Sequence, residues 1–500
     1  MMDVAAQPAA VEGGWWERAA GLAQPLGVWL YGFLVVALTA GSAGGYLPTT
    51  HGWTAVITLW LAAVTLMVRD RVEVSTPAVV LLGALAAFTA WMTLSAAFWS
   101  PSPTSAMHEV QRNLAYLGIV AAGLALTSRR LAPLLAGGVL AGVVLQCLYA
   151  LGTRVLPDRL GAFDSEAFGY RLSLPITYWN GLGIFAVMGM LLALGFAARA
   201  RSTGARAAAA AALPLLATAN YFTFSRGAWI ALAVGLVVAL VIDARRLQLI
   251  ACVLVLAPWT VVAVHAASNR EALTTRDATL AAATDEGHSL LPLLLALACA
   301  SGAAAAAFAF AERRIEIPRA VRAAFAAVVA AALLGGAALF TERHGPPWEV
   351  ADRMWTSFTG APTKTGPDLS ERIFQLSNNG RLDLWTTSWE SFEHDRALGS
   401  GAGTFWQQWA ANGDRRFNTT EGHSLYAETL GELGIPGLVL VVLLVAMPLV
   451  AGVRARRTAF VPAVTGAFAA WVAHAGVDWD WELVGVTGVA LLCGTALVSA

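Results

Sequence analysis

The chain has 500 residues, 57% of them hydrophobic and 13% charged, with a formal net charge of zero. Soluble domains carry about 25% charged residues, so an ordinary soluble protein is excluded, and the charge balance gives no bulk attraction to nucleic acid. Apolar runs of about 20 residues recur from end to end, the length at which a helix crosses a bilayer core; barrel strands would alternate apolar and polar residues over about 10 positions. The pattern predicts an all-α, polytopic membrane protein.

In chain order, residues 1–25 place acidic residues and two tryptophans, Trp15 and Trp16, ahead of the first apolar run. That suits a cytoplasmic segment followed by an uncleaved first span. Transmembrane helices are expected across 26–340, at about 26–43, 52–68, 77–98, 113–127, 131–151, 176–196, 207–222, 228–242, 247–266, 290–310 and 323–340. A polar stretch at 341–423 follows. Residues 424–500 add spans at about 425–449, 459–475 and 483–498, making about fourteen in all. Arginine marks alternate connections, at Arg69 and Arg71, Arg129 and Arg130, Arg199 and Arg201, Arg245 and Arg246, Arg313 and Arg314, and Arg454 and Arg456. Positive residues stay inside, so both termini are expected in the cytoplasm and the 341–423 loop outside. Cys147, Cys252, Cys299 and Cys493 lie in apolar runs without CxxC spacing, which indicates neither a disulfide framework nor a zinc site.

The large loop has a pattern of its own. Asn378 or Asn379 can cap a helix in which Leu384, Trp385, Ser388, Trp389 and Phe392 recur at three- and four-residue spacing, and Asp395 with the glycines after it ends that helix. Phe405, Trp406 and Trp409 mark a second short amphipathic helix, and both could lie in the headgroup layer. From 379 to 405 the sequence reads NGRLDLWTTSWESFEHDRALGSGAGTF, and from 422 to 438 GHSLYAETLGELGIPGL. Upstream stand YWNGLG at 178–183 and SRGAWIAL at 225–232; near the end is DWDWE at 478–482.

The two loop stretches, the two upstream motifs and the layout of many helices around one outer loop resemble the O-antigen ligase and Wzy-polymerase superfamily of membrane glycosyltransferases. Ser424 stands where that family often has Asn, and Asn379 where it often has Ser or Thr. The resemblance implies a GT-C-like helical fold in a bacterial cytoplasmic (inner) membrane. It also implies a glycan donor on polyprenyl (undecaprenyl) diphosphate and a glycan, lipid or protein acceptor. Transfer would go with inversion and without a cofactor, by ligation or, alternatively, polymerisation. Relatives tied to bicarbonate transport make a transporter the rival class. A transporter would place ionisable residues in mid-membrane, whereas here almost every charge sits at a predicted helix end.

Such a transfer must neutralise a departing diphosphate and accept a hydroxyl proton. Arginine suits the first task, because its planar fork binds phosphate oxygens bidentately and stays charged. Histidine suits the second. Arg226 opens a helix at the outer face; the alternative is an anchor that snorkels to the headgroups. Arg381 lies in the first turn of the loop helix, where a cation opposes the dipole; the alternative is a salt bridge to Asp383. His423 precedes a helix whose positive end disfavours imidazolium. Glu421 or Glu428 could orient it, and the alternative is a capping role. The candidate substrate-binding residues are Asn180, Gly399, Gly401, Gly403 and Asp478. The glycines either let the chain approach a ligand closely or merely turn it. Asp478, with Asp480, Glu482 and the tryptophans between, either binds sugar or belongs to an aromatic belt with solvated charges. His474 with Asp478 is a weaker candidate, and His51, His108, His344 and His394 read as solvated. No carboxylate pair at helical ligand spacing accompanies a loop histidine, so no metal is expected, and the two arginines take its place.

Overall fold

The computed structural model describes residues 15–69, 71–72, 74–161, 163, 169–316, 318–360, 366, 368–374, 377–412 and 419–500. Residues 1–14 of the expected N-terminal segment, and Asn418 before His423, lie outside the described residues. The fold is helical: α1 (Trp15–Gly41), α2 (Pro48–Val68), α3 (Thr76–Phe98), α4 (Pro103–Leu126), α5 (Ala132–Val155), α6 (Trp179–Arg199), α7 (Thr203–Thr223), α8 (Arg226–Ile242), α9 (Arg246–Ser268) and α10 (Glu271–Thr274). There follow α11 (Leu280–Arg314), α12 (Arg319–His344), α13 (Pro347–Thr359), α14 (Glu371–Phe374), α15 (Arg381–His394), α16 (Phe405–Asn412), α17 (Leu425–Arg454), α18 (Val461–His474) and α19 (Val484–Val498). Among the described residues the only sheet-like pairing is an isolated bridge between Thr275 and Asp368.

Each apolar stretch read as a span falls on one of these helices, but fewer meet the requirement for crossing a membrane. Among the described residues nine helices are long and apolar enough, by length and composition: α1, α2, α3, α5, α6, α9, α11, α12 and α17. For four of the five that fall short, all but α7, the causes are simple. Helices α8, α18 and α19 are apolar but only 17, 14 and 15 residues long. Helix α4 starts at Pro103, well before 113, so its first half carries His108, Glu109, Gln111, Arg112 and Asn113. His51, read as solvated, is buried inside α2.

Helices α6, α18 and α19 form the middle of the bundle and bury residues on every side, as expected of helices apolar all round. Helix α12 is the opposite case, with no buried residue. Close approach between helices relies on small residues. Where α8 crosses α18, a Cβ on Gly466 would stand 2.5 Å from the Gly235 carbonyl oxygen. That crossing fixes α8, and hence Arg226 at its start, against α18, which ends at His474. Helix α17 breaks at Gly434, whose φ of 64° and ψ of −163° lie outside the helical region. The Glu-Leu-Gly-Ile-Pro-Gly motif is therefore a kink, and the Ile435 amide turns out to bond the Arg396 carbonyl at 3.0 Å.

Candidate active site

The connection between α18 and α19 is the hub of the site. Its DWDWE sequence alternates carboxylates with indoles, and the fold buries all three carboxylates. Asp478 Oδ2 accepts from Arg381 Nη2 at 2.6 Å and from Asn180 Nδ2 at 2.8 Å, while Oδ1 accepts from the Tyr178 hydroxyl at 2.6 Å. Asp480 Oδ2 meets His474 Nδ1 at 2.6 Å, and Glu482 is ion-paired with Arg112 of α4. Each carboxylate thus ties the connection to a different wall. Burial of a charge is tolerated only with such pairing, so the reading of solvated charges in an aromatic belt is corrected. Two pairings change with it: Arg381 bridges to Asp478 and not to Asp383, and the acidic partner of His474 is Asp480 and not Asp478.

Arg381 reaches this hub because the loop helix begins there. The Asn378 side-chain oxygen accepts from the Gly380 amide at 2.6 Å, and Gly380 adopts a φ of 82°, so α15 starts at Arg381 with its side chain over Asp478. Burial opposes the charge of Arg381, yet Asp478 and Tyr178 hold its guanidinium above the ordinary value. Burial likewise opposes ionisation of Asp478, but Arg381, His474 and His423 hold its carboxyl below the usual range.

Arg226 follows the left-handed Phe224, φ 50°, that ends α7. Ser225 caps α8 by accepting from the Ala228 amide, and Arg226 Nη2 donates to the Ser377 carbonyl at 3.3 Å. Its charge and those of Arg372 and Arg381 bear on one another. Arg171, passed over in the sequence, joins this group. Its Nε donates to the Thr223 carbonyl at 2.9 Å, its Nη2 to Asn180 Oδ1 at 3.1 Å, and its guanidinium lies 4.4 Å from the Trp179 ring centroid. Burial, and then Arg372, push Arg171 well below its ordinary value. Asn180, between Arg171 and Asp478, links the turn that carries Arg226 to the carboxylate that holds Arg381. Arg171 and Arg372 bore no recognisable spacing in the sequence; folding alone gathers them.

His423 takes a φ of 53° just before Ser424, whose hydroxyl caps α17 by accepting from the Ala427 amide. Its Nδ1 lies 3.0 Å from the Glu421 carbonyl oxygen. A carbonyl only accepts, so Nδ1 carries the hydrogen and Nε2 keeps a lone pair. The orienting group is thus backbone, not the carboxylate of Glu421 or Glu428; the Glu428 carboxylate accepts from the Gly422 amide at 2.8 Å. Trp385 Nε1 donates to the His423 carbonyl at 3.3 Å and ties α15 to this turn. Burial, opposed by Asp478 and reinforced by Arg381, holds the imidazole below its ordinary 6.5.

Gly399, Gly401 and Gly403 stand apart from this group. All three have positive φ, and a Cβ on each would meet protein: Glu432 backbone at 2.4 Å, Ser100 at 2.6 Å and Ser105 at 2.8 Å, respectively. The turn wraps the Glu432 side chain, whose oxygens accept from the Gly403, Thr404 and Phe405 amides at 2.8, 2.7 and 2.7 Å. The close approach these glycines permit is to α17, to the connection between α3 and α4, and to α4. A further grouping was invisible to periodicity: Glu421, Glu428 and Glu482 converge so that one oxygen of each lies within 4.8 Å of the others. They come from separate segments, so the search for helical ligand spacing passed over them. Burial and Glu109 push the Glu421 carboxyl up to about 7.

Residues 293–442 match the family model Wzy_C, described as O-antigen ligase. The match, over 150 of the 500 residues, supports the resemblance to the O-antigen ligase and Wzy superfamily that the loop motifs carry. The matched stretch includes Arg381, the glycine turn and His423, while Arg226, Asn180 and Asp478 lie outside it. No curated protein matches the chain.

Proposed function

We propose that the protein is a glycosyltransferase that moves a glycan from a polyprenyl-diphosphate carrier to an acceptor hydroxyl, at the outer face of a bacterial cytoplasmic membrane, with both termini inside. The reading is carried by one observation: Arg381, from the middle of the loop, bonds the buried Asp478, and His423, from the end of the loop, acts on the same carboxylate, with Arg171 and Arg226 alongside. The acceptor oxygen bonds to the anomeric carbon as that carbon's bond to the diphosphate oxygen breaks. The electron pair leaves with the lipid diphosphate, and the proton passes to His423 Nε2. Arg226 and Arg381 meet the charge that grows on the leaving group, where preorganised donors are most effective. Asp478 and Asn180 act on the diphosphate side as positioning residues, and Gly399, Gly401 and Gly403 hold the loop down. The Arg placement along the chain supports the orientation, and the fourteen helices that cover the apolar runs support fourteen spans, the shorter ones flanked by polar ends.

The test is direct. Purified protein in nanodiscs, given a polyprenyl-diphosphate glycan and a panel of acceptors, is expected to release lipid diphosphate and form a product of inverted anomeric configuration, with EDTA making no difference. A donor left intact with every acceptor defeats the transfer reading. Loss of turnover in EDTA, restored by a divalent ion, defeats the metal-free mechanism and directs attention to Glu421, Glu428 and Glu482.

A further inference from the structure

His423 stands on a charge boundary. On one side are Arg171, Arg226 and Arg381; on the other are Glu421, Glu428 and Glu482. Trp479 spans the boundary. Its ring centroid lies 4.4 Å from Tyr178, whose hydroxyl bonds Asp478 on the arginine side, and 5.6 Å, edge-on, from Tyr46 on the carboxylate side. The His423 ring is 6.2 Å away. Tyr46 is 38% exposed, Trp479 is half-buried, and Thr420 beside them is exposed. The Tyr46 ring feels the Glu421 charge. An aromatic shelf therefore opens outward next to His423, on the side away from Arg171, Arg226 and Arg381, where Arg112 is taken up by Glu482.

In an inverting displacement the nucleophile and the leaving group occupy opposite faces of the anomeric carbon. If the diphosphate sits among the arginines, the acceptor must arrive from the opposite side of His423. That side offers ring faces for the C–H face of a sugar, and carboxylate oxygens that only accept hydrogen bonds and so suit hydroxyl or ammonium donors. Above the Glu421 value of about 7, where that carboxyl is ionised, anionic groups would meet like charge there, which costs affinity.

Resting on the transfer reading above, we propose that Tyr46 and Trp479 form the acceptor subsite, stacking the ring of a neutral or amino sugar whose hydroxyl faces His423, with Glu421 selecting against acceptors that carry a carboxylate or phosphate on that ring. Trp479 also contacts Tyr178, so its removal could disturb folding; Trp479→Phe keeps an apolar ring, and Tyr46→Ala alters an exposed one.

The experiment uses the full-length protein in nanodiscs, with octyl glucoside, octyl glucosaminide and octyl glucuronide as acceptor probes, and measures donor affinity separately with polyprenyl diphosphate. The wild type is expected to prefer the neutral and amino probes. Tyr46→Ala and Trp479→Phe are expected to raise acceptor KM, Tyr46→Ala by roughly tenfold, the scale of one lost aromatic stack, with donor affinity unchanged. Glu421→Gln is expected to narrow the discrimination against the glucuronide. Unchanged acceptor KM in both ring variants, donor affinity falling in step with it, or a wild type that uses the glucuronide as well as the glucoside, each overturns the subsite while leaving glycan transfer standing. A wild type that binds no polyprenyl diphosphate instead removes the reading on which the subsite rests.

Discussion

Two places in the molecule set carboxylate against positive polarity, and they differ in what is left over. At the glycine turn, Glu432 accepts three backbone amides, and the one charge and those dipoles satisfy one another. In the basin beside Asp478, that carboxylate pairs with Arg381, while Arg171 and Arg226 are held by neutral oxygens of Asn180, Thr223 and Ser377. The first arrangement is balanced and fastens the loop to α17. The second keeps positive charge in reserve, which is what a site for a diphosphate needs. Arg381 of the basin and the glycine turn of the latch come from one run of motif residues, so a shared motif does not by itself say which of its members touch substrate.

The largest effect is expected where the comparison is not about charge at all. His423→Ala removes the proton acceptor and leaves both arrangements intact, so turnover should fall by about 10²–10⁴-fold, the usual range for a general base, while affinity for polyprenyl diphosphate stays the same. Stopped-time assays alongside donor binding check this, and near-normal turnover would return His423 to a helix-start role. Next come the guanidinium groups. Arg226→Lys and Arg381→Lys keep a positive charge but lose the planar fork, and each is expected to lower kcat by roughly 10²–10³-fold, as for loss of one transition-state donor. A Lys variant with full activity would take that residue out of the basin.

The latch should behave differently. Glu432→Gln leaves the three amides facing a neutral carbonyl oxygen and an NH2 group, at a cost of about 1–3 kcal/mol. The loss should appear as faster hydrogen exchange over 399–405 and a lower Tm, with kcat/KM reduced only a few-fold. A Glu432→Gln protein as inactive as Arg381→Lys, yet just as stable as wild type, would move the latch into the chemistry and erase the distinction.

Much of this was legible in the sequence, and the gaps have physical causes. Helix positions follow from apolar runs about as long as a bilayer is thick, and the loop helix from Arg381 to His394 follows from its three- and four-residue periodicity. Arg226, Arg381 and His423 stood out because residue type matched chemical task. Pairing is another matter. The Asp478–Arg381 bridge joins residues far apart in the chain, and the Glu421, Glu428 and Glu482 grouping draws on separate segments. Nothing in local spacing reports such contacts. The carboxylates of DWDWE looked solvated because the sequence placed them at a helix end, but it could not show that Arg112, His474 and Arg381 close over them.

The smallest effect, and the one that reads the basin most finely, is in the pH profile. His423 acts as a base only when neutral, so kcat/KM should rise with pH through the imidazole pKa and level off above it. Burial, opposed by Asp478 and reinforced by Arg381, holds that pKa below 6.5, so the acid limb should lie below the position of an ordinary histidine. Asp478 is the group that favours the protonated ring. Asp478→Asn removes that influence and leaves burial and Arg381 acting in the other direction, so the acid limb should move to still lower pH even as the overall rate falls through loss of the Arg381 bridge. A limb that moves up instead, or stays in place while the rate falls, would mean that the titrating group is not His423. The carboxyl of Glu421, raised to about 7 on the other side of the boundary, would then be the group to follow.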